Sequence, residues 1–221
     1  FIAAGLGHED LRRFWLEFRK WKPFRFNWEV LWKWRQAQSL FDPSGFRRFL
    51  ADSLPAKSFE DLKTPLTVVA TNLQKAESIH LEQGDLIFAV MASISLPLYF
   101  PPLFLDGEQI VDGGVTNNVP LDVAVAKGAT RVYAMPCGCQ EEMRRPVSGF
   151  LNLESRAFQI ATRQKYYWDM EHLKDKAELI VLSPCLTFAK NVLDFSQSER
   201  IMEEAYQYAI SALPAQIKER R

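Results

Sequence analysis

Three features of the sequence predict an α/β fold. Short apolar runs at residues 66–70, 131–135 and 179–182, the first rich in β-branched side chains, have the length and composition of buried strands. Between and around them lie longer stretches with helical periodicity, chiefly residues 9–21, 154–173 and 198–213. Alternation of this kind builds a sheet flanked by helices. The third feature is size: 221 residues, 48% of them hydrophobic, bury a substantial core. No repeat and no low-complexity linker interrupts them, so residues 1–221 read as a single domain.

Taken in order, Leu11, Phe14, Trp15 and Phe18 fall at i, i+3, i+4 and i+7, with Arg12, Arg13, Arg19 and Lys20 largely off that stripe. This is an amphipathic helix, which Pro23 ends or soon follows. Residues 24–27 alternate aromatic and polar side chains, and Trp28, Leu31 and Trp32 restart a helical stripe. Asp42-Pro43 is a helix start, with Phe46, Phe49 and Leu50 as its apolar face. Thr64-Pro65 leads into the first strand, and residues 84–91 read as a helix. The uncharged run 86–105 is long enough to cross a bilayer, but Ser93, Ser95, Pro97, Pro101 and Pro102 break it, and it reads as core.

Next, Leu103-Phe104-Leu105 and Gln109-Ile110-Val111 are joined through Asp106-Gly107, the signal for a tight hairpin whose turn needs positive φ. Its second arm delivers Asp112 to a strand end. Gly113 and Gly114 follow, and without side chains they let another backbone or a substrate come close to that carboxylate. Asn117 and Asn118 suit a turn, and Pro120 opens a helix through Leu121, Val123, Ala124 and Ala126 that Gly128 closes. In residues 154–173 the inward stripe is read as Ala157, Ile160, Ala161 and Trp168. Ser183-Pro184 stops the last strand before the final helix.

Asp-Gly-Gly alone is an ordinary turn sequence. The ordered set is more specific: Ala92-Ser93-Ile94-Ser95-Leu96-Pro97, Phe100-Pro101-Pro102, Asp106-Gly107, Asp112-Gly113-Gly114 and Asn117-Asn118-Val119-Pro120. At these separations it closely resembles the C-terminal half of the patatin-like phospholipases, tightly over the middle third of the chain and by pattern on the flanks. The resemblance implies a three-layer α/β/α sheet flanked by helices. It also implies that Asp112 partners a serine nucleophile in a two-residue dyad, with Gly113, Gly114, Asn117 and Pro97 on the substrate side. In that family the serine lies in a Gly-x-Ser-x-Gly elbow, preceded by a glycine-rich oxyanion loop. Neither motif is present here: Ser44 and Ser148 lack the flanking pattern, and Ser93 and Ser95 occupy structural positions of the resemblance. Residues 1–7 look like the helix that follows the elbow. The expectation is that the serine, with the first βα unit or units, lies upstream of Phe1.

The chemistry so implied is acyl transfer through a serine ester, on a lipid acyl ester, with Asp112 as the base and its pKa raised by a dry site. No cofactor or metal is called for; His8, His80 and His172 are scattered and form no ligand spacing. Two alternatives stand beside it. One is a non-catalytic module of the same fold that binds acyl chains or a membrane surface, and the other an ordinary α/β binding module.

Formal net charge is zero, from 27 basic and 27 acidic residues, which argues against nucleic acid as a partner. Charge is nonetheless uneven. Residues 12–35 hold eight basic side chains against Glu17 and Glu29, a local balance of +6, with five of the six tryptophans. This aromatic and basic segment, residues 9–35, is either a lid packing on the core or a peripheral membrane contact through Trp15, Trp21, Trp28 and Trp32. Cys137, Cys139 and Cys185 are an odd, sparse set, read as buried or incidental thiols of a reducing, cytoplasmic compartment, with membrane association through the aromatic segment left open. Oligomeric state is not encoded in any of these features.

Overall fold

In a computed structural model, residues 1–21, 24–33, 36–137, 146–186 and 194–218 are described. They group into two compact units, Phe1–Asn117 and Asn118–Arg221.

The first unit opens with α1 (His8–Trp21), whose predicted stripe turns inward in part: Phe14 and Phe18 are buried and Leu11 half-buried, whereas Trp15 is exposed. Around Phe18 the rings of Phe24, Phe46 and Phe49 lie with centroids 5.9, 5.3 and 5.6 Å away, within the range of favourable aromatic packing. Phe24 in turn meets Phe100 at 4.9 Å. A short ribbon, β1 (Arg25–Phe26) against β2 (Phe41–Asp42), encloses a 3₁₀ turn at Trp28–Leu31. The apolar stripe expected to restart a helix there therefore occupies one tight turn. Asp42 starts α2 (Ser44–Ser53) by accepting from the Ser44 N–H at 2.8 Å.

The main sheet follows. β3 (Val68–Asn72), fully buried, pairs with β4 (Glu77–Leu81) and with β6 (Glu108–Asp112), and β6 pairs with β5 (Leu103–Leu105). The order β4-β3-β6-β5 is antiparallel throughout. β4 lacks a strong apolar signature, and its exposed residues explain why sequence patterning passes over it. The Asp106-Gly107 turn is as predicted, with φ of +52° and +82°. Helix α3 (Leu86–Ser93) is capped by Asp85, whose Oδ1 accepts from the Phe88 N–H, and it sets Ala92 and Phe88 against Ala70 and Ile110. Thr71, the next residue along β3, points to the opposite face and meets α4 (Gly114–Asn117). The sheet thus lies between two helical layers, the α/β/α arrangement of the expected fold class.

In the second unit, α5 (Leu121–Ala126) leads to β7 (Arg131–Ala134). The long α6 (Phe150–Leu173) then returns the chain to β8 (Glu178–Val181), which runs parallel to β7, before α7 (Ser198–Lys218). Leu121, Ala134, Leu173, Ala177 and Leu179 form its core, with Tyr166 and Met170 packed against them. α6 therefore buries the stripe through Thr162, Tyr166, Asp169, Met170 and Leu173, whereas Ala157, Ile160, Ala161 and Trp168 face solvent. Apolar residues lie on both sides of this helix, so its own periodicity did not decide which side packs. Lys165 ties α6 to α5, reaching Asp169 at 2.5 Å and Asp122 at 3.0 Å.

Among the described residues no helix is long and apolar enough to cross a membrane. Cys137 is free and exposed, but Cys185 is disulfide-bonded. This departs from the expectation of buried or incidental thiols and removes the cysteines as support for a reducing compartment.

The assignment of buried faces has a direct check in urea unfolding. Phe18→Ala should lower stability by about 3–5 kcal/mol, since it empties the centre of the aromatic cluster. Ile160→Ala, on the exposed side of α6, should change it by less than about 0.5 kcal/mol.

Candidate active site

Asp112 is the last residue of β6, opposite Ala70 of β3. Three contacts hold it. Its N–H donates to the Ser95 carbonyl at 3.0 Å, its carbonyl accepts from Thr71 Oγ1 at 2.8 Å, and its carboxylate Oδ1 accepts from the Gly114 N–H at 2.6 Å. Thr71 Oγ1 also lies 2.9 Å from Thr116 Oγ1, joining β3 to α4. Both backbone polar groups and one carboxylate oxygen are thereby fixed.

Gly113 explains how the chain leaves the strand. A Cβ there would sit 2.6 Å from the Val69 carbonyl carbon and closer still to its oxygen, so a side chain cannot fit against β3. The close approach seen here is that of the β3 backbone. Gly114, buried, begins α4 and supplies the N–H on Asp112. Asn117 ends α4 and is buried, with its own N–H on the Gly113 carbonyl at 2.8 Å. Pro97 is half-buried at the start of the turn 97–99, two residues beyond the carbonyl that binds Asp112.

The Asp112 carboxyl is raised from its ordinary range to about 6. Desolvation is the cause, and the Gly114 N–H offsets it only in part. Among the described residues no cation stands against it. Nor does a histidine: His8 pairs with Glu9, His80 lies by Ser78, and His172 is held by the Trp168 carbonyl. Ser95 is buried, and its hydroxyl donates to the Met91 carbonyl at 2.8 Å, a structural role. The described residues contain no group of three or more His, Cys, Asp or Glu placed to hold a metal. Thr71 and its bond to Thr116 escaped sequence reasoning, since a threonine in a buried β-branched strand carries no distinguishing signal.

A desolvated carboxylate at a strand end, backed by a glycine turn and, among the described residues, with no histidine or cation against it, makes Asp112 the candidate centre of this α/β protein. A family model described as patatin-like phospholipase matches residues 1–125, and the chain belongs to this family. Patatin-like phospholipase domain-containing protein 7 of Mus musculus is 30% identical over 193 residues, covering 77% of this chain and 14% of that protein. Patatin-like phospholipase domain-containing protein 6 of Homo sapiens is 37% identical over 106 residues, 47% of this chain and 8% of the relative. Neuropathy target esterase sws of Drosophila melanogaster is 35% identical over 107 residues, 47% of this chain and 7% of the relative. The chain spans 14% or less of the length of these relatives.

The raised carboxyl gives a pH test with a fixed sign. A folded-state value near 6 against an unfolded value near 3.9 means that folding favours neutral Asp112. The resulting stability is fully present below about pH 4 and is lost as pH rises through about 6. Relative to Asp112→Asn, the parent should lose up to about 3 kcal/mol across that window, read from urea midpoints at each pH. A constant difference would show that Asp112 is not desolvated.

Proposed function

We propose that the protein is a lipid acyl hydrolase in which Asp112 and a serine from outside residues 1–221 form a catalytic dyad. The observation that carries this reading is Asp112 itself: a fixed, desolvated carboxylate at the strand end of a patatin-family fold, with a value of about 6. Such a group is ionised at neutral pH yet basic enough to accept a hydroxyl proton, which suits a general base. The names of the relatives, phospholipase domain-containing proteins and an esterase, support an acyl ester as substrate.

In the proposed cycle Asp112 takes the serine proton as Oγ bonds to the ester carbonyl carbon. Collapse of the tetrahedral oxyanion breaks the carbon–oxygen bond to the alcohol, which leaves with that proton. Water, deprotonated by Asp112, then adds to the acyl carbonyl carbon; collapse breaks the bond to Oγ, which takes that proton back, and the fatty acid leaves. Backbone N–H groups of a glycine loop, also outside this chain, would bind the oxyanion. On the substrate side we place Gly113, Gly114, Asn117 and Pro97. No cofactor or metal takes part in this scheme.

Intact-mass analysis of the native protein with a fluorophosphonate is the test. One stoichiometric adduct is expected, on a serine outside these residues. Asp112→Asn should lower ester turnover by about a hundredfold or more with the circular dichroism unchanged. Undiminished turnover would overturn the dyad. No adduct on a protein that still binds fatty acid would favour the non-catalytic alternative, which the lack of a Gly-x-Ser-x-Gly elbow in these residues keeps in view.

A further inference from the structure

The aromatic and basic segment divides in two. Phe14 and Phe18 of α1 are spent on the core, whereas the 3₁₀ turn does the opposite: Trp28, Leu31 and Trp32 are 65%, 66% and 65% exposed. Three large apolar side chains on one short turn are a poor use of surface in water, since each gains by leaving it.

The turn is built to hold them there. Asn27 accepts from the Glu29 N–H through Oδ1 at 3.1 Å, donates through Nδ2 to the Ser39 carbonyl at 3.1 Å, and donates its own N–H to the Leu40 carbonyl at 2.8 Å. Phe26 supports the Trp28 ring at 5.0 Å, and Phe41 supports Phe26 at 5.9 Å. From β2 the ribbon is bonded to the segment that also holds Asp112. The Leu40 N–H donates to the Leu98 carbonyl at 2.8 Å and the Phe41 N–H to the Tyr99 carbonyl at 2.9 Å, beside the Ser95 carbonyl that binds Asp112. Leu98 sits at φ +74°, an unusual conformation for leucine, so this junction is tightly specified.

Charge decides the occupant. Arg25 on β1 and Lys33 after the turn are exposed and outnumber Glu29 within it, and the sequence from 12 to 35 around them is basic overall, +6 in a chain of zero net charge. The Lys33–Glu29 pair at 3.4 Å is open to solvent and readily exchanged. Indole rings and leucine within a cationic rim match the headgroup region of an anionic bilayer, which takes rings at its boundary and attracts the cations above it.

We propose that the 3₁₀ turn, with Trp28, Leu31 and Trp32 at its tip and Arg25 and Lys33 at its rim, docks the protein on anionic lipid surfaces. Hydrogen bonds to residues 95–99 join both the ribbon that carries this turn and Asp112 to one segment. The proposal is independent of the hydrolase reading, because it concerns binding alone.

The test is co-sedimentation with phosphatidylcholine vesicles, with and without roughly a third phosphatidylserine. The protein should partition to the anionic vesicles, less so as salt is raised. Trp28→Ser, Leu31→Ser and Trp32→Ser together should reduce partitioning by about tenfold or more with thermal melting unchanged, since all three are exposed. Arg25→Ser with Lys33→Ser should remove most of the preference for anionic lipid. Asp112→Asn should bind like the parent, which separates this outcome from that of the dyad. Equal partitioning of the triple variant, or no partitioning of the parent, would overturn the proposal. So would a parent that ignores vesicles and runs as a dimer that the triple variant dissolves, which would assign the face to a second copy.

Discussion

The bonds that fix the backbone of Asp112 are what the candidate site depends on. β6 ends there because the chain must turn away over β3, and it can do so only because Gly113 brings no Cβ against the Val69 carbonyl. Ser95, two residues beyond α3, and Thr71 from β3 then satisfy the two backbone groups that the end of the ladder would leave unpaired. The carboxylate is held by main-chain geometry instead of by a long, mobile side-chain network. Its position is thus inherited from the sheet, whose strand β3 is buried along its whole length.

That arrangement has an electrostatic consequence. A carboxylate with one N–H donor and no cation costs free energy to ionise, and this is the origin of its raised pKa. Stability would improve with an arginine or lysine beside it, but such a partner would depress the basicity that the proposed proton abstraction requires. Burial without compensation is the pattern of a group kept for chemistry. The second unit offers the contrast. Asp169, fully buried on α6, also has its carboxyl raised by burial, but Lys165 stands against it and Asp122 joins them, so it reads as a strut between α5 and α6.

Much of this was legible in the sequence wherever local chemistry decides local structure. Asp106-Gly107 specifies a turn of positive φ whatever surrounds it, and so the hairpin and the strand-end position of Asp112 could be read directly. The stripe of α1 was equally clear because only one of its sides is apolar. Where the choice belongs to the tertiary partner, the sequence was silent. α6 is apolar on two sides, and Leu121 and Leu179 chose between them. Trp28 to Trp32 has helical spacing, yet between β1 and β2 it forms a single 3₁₀ turn at Trp28–Leu31. Thr71, β4 and the disulfide at Cys185 likewise depend on what lies opposite them in space.

The central claim is that Asp112 is a desolvated carboxyl poised close to neutrality. The most direct measurement is its own titration, followed through the carboxyl carbon resonance in a ¹³C-labelled protein and assigned by its absence in Asp112→Asn. A midpoint at about pH 6 is predicted. A midpoint near 3.9, the value of an aspartate in water, would contradict the claim.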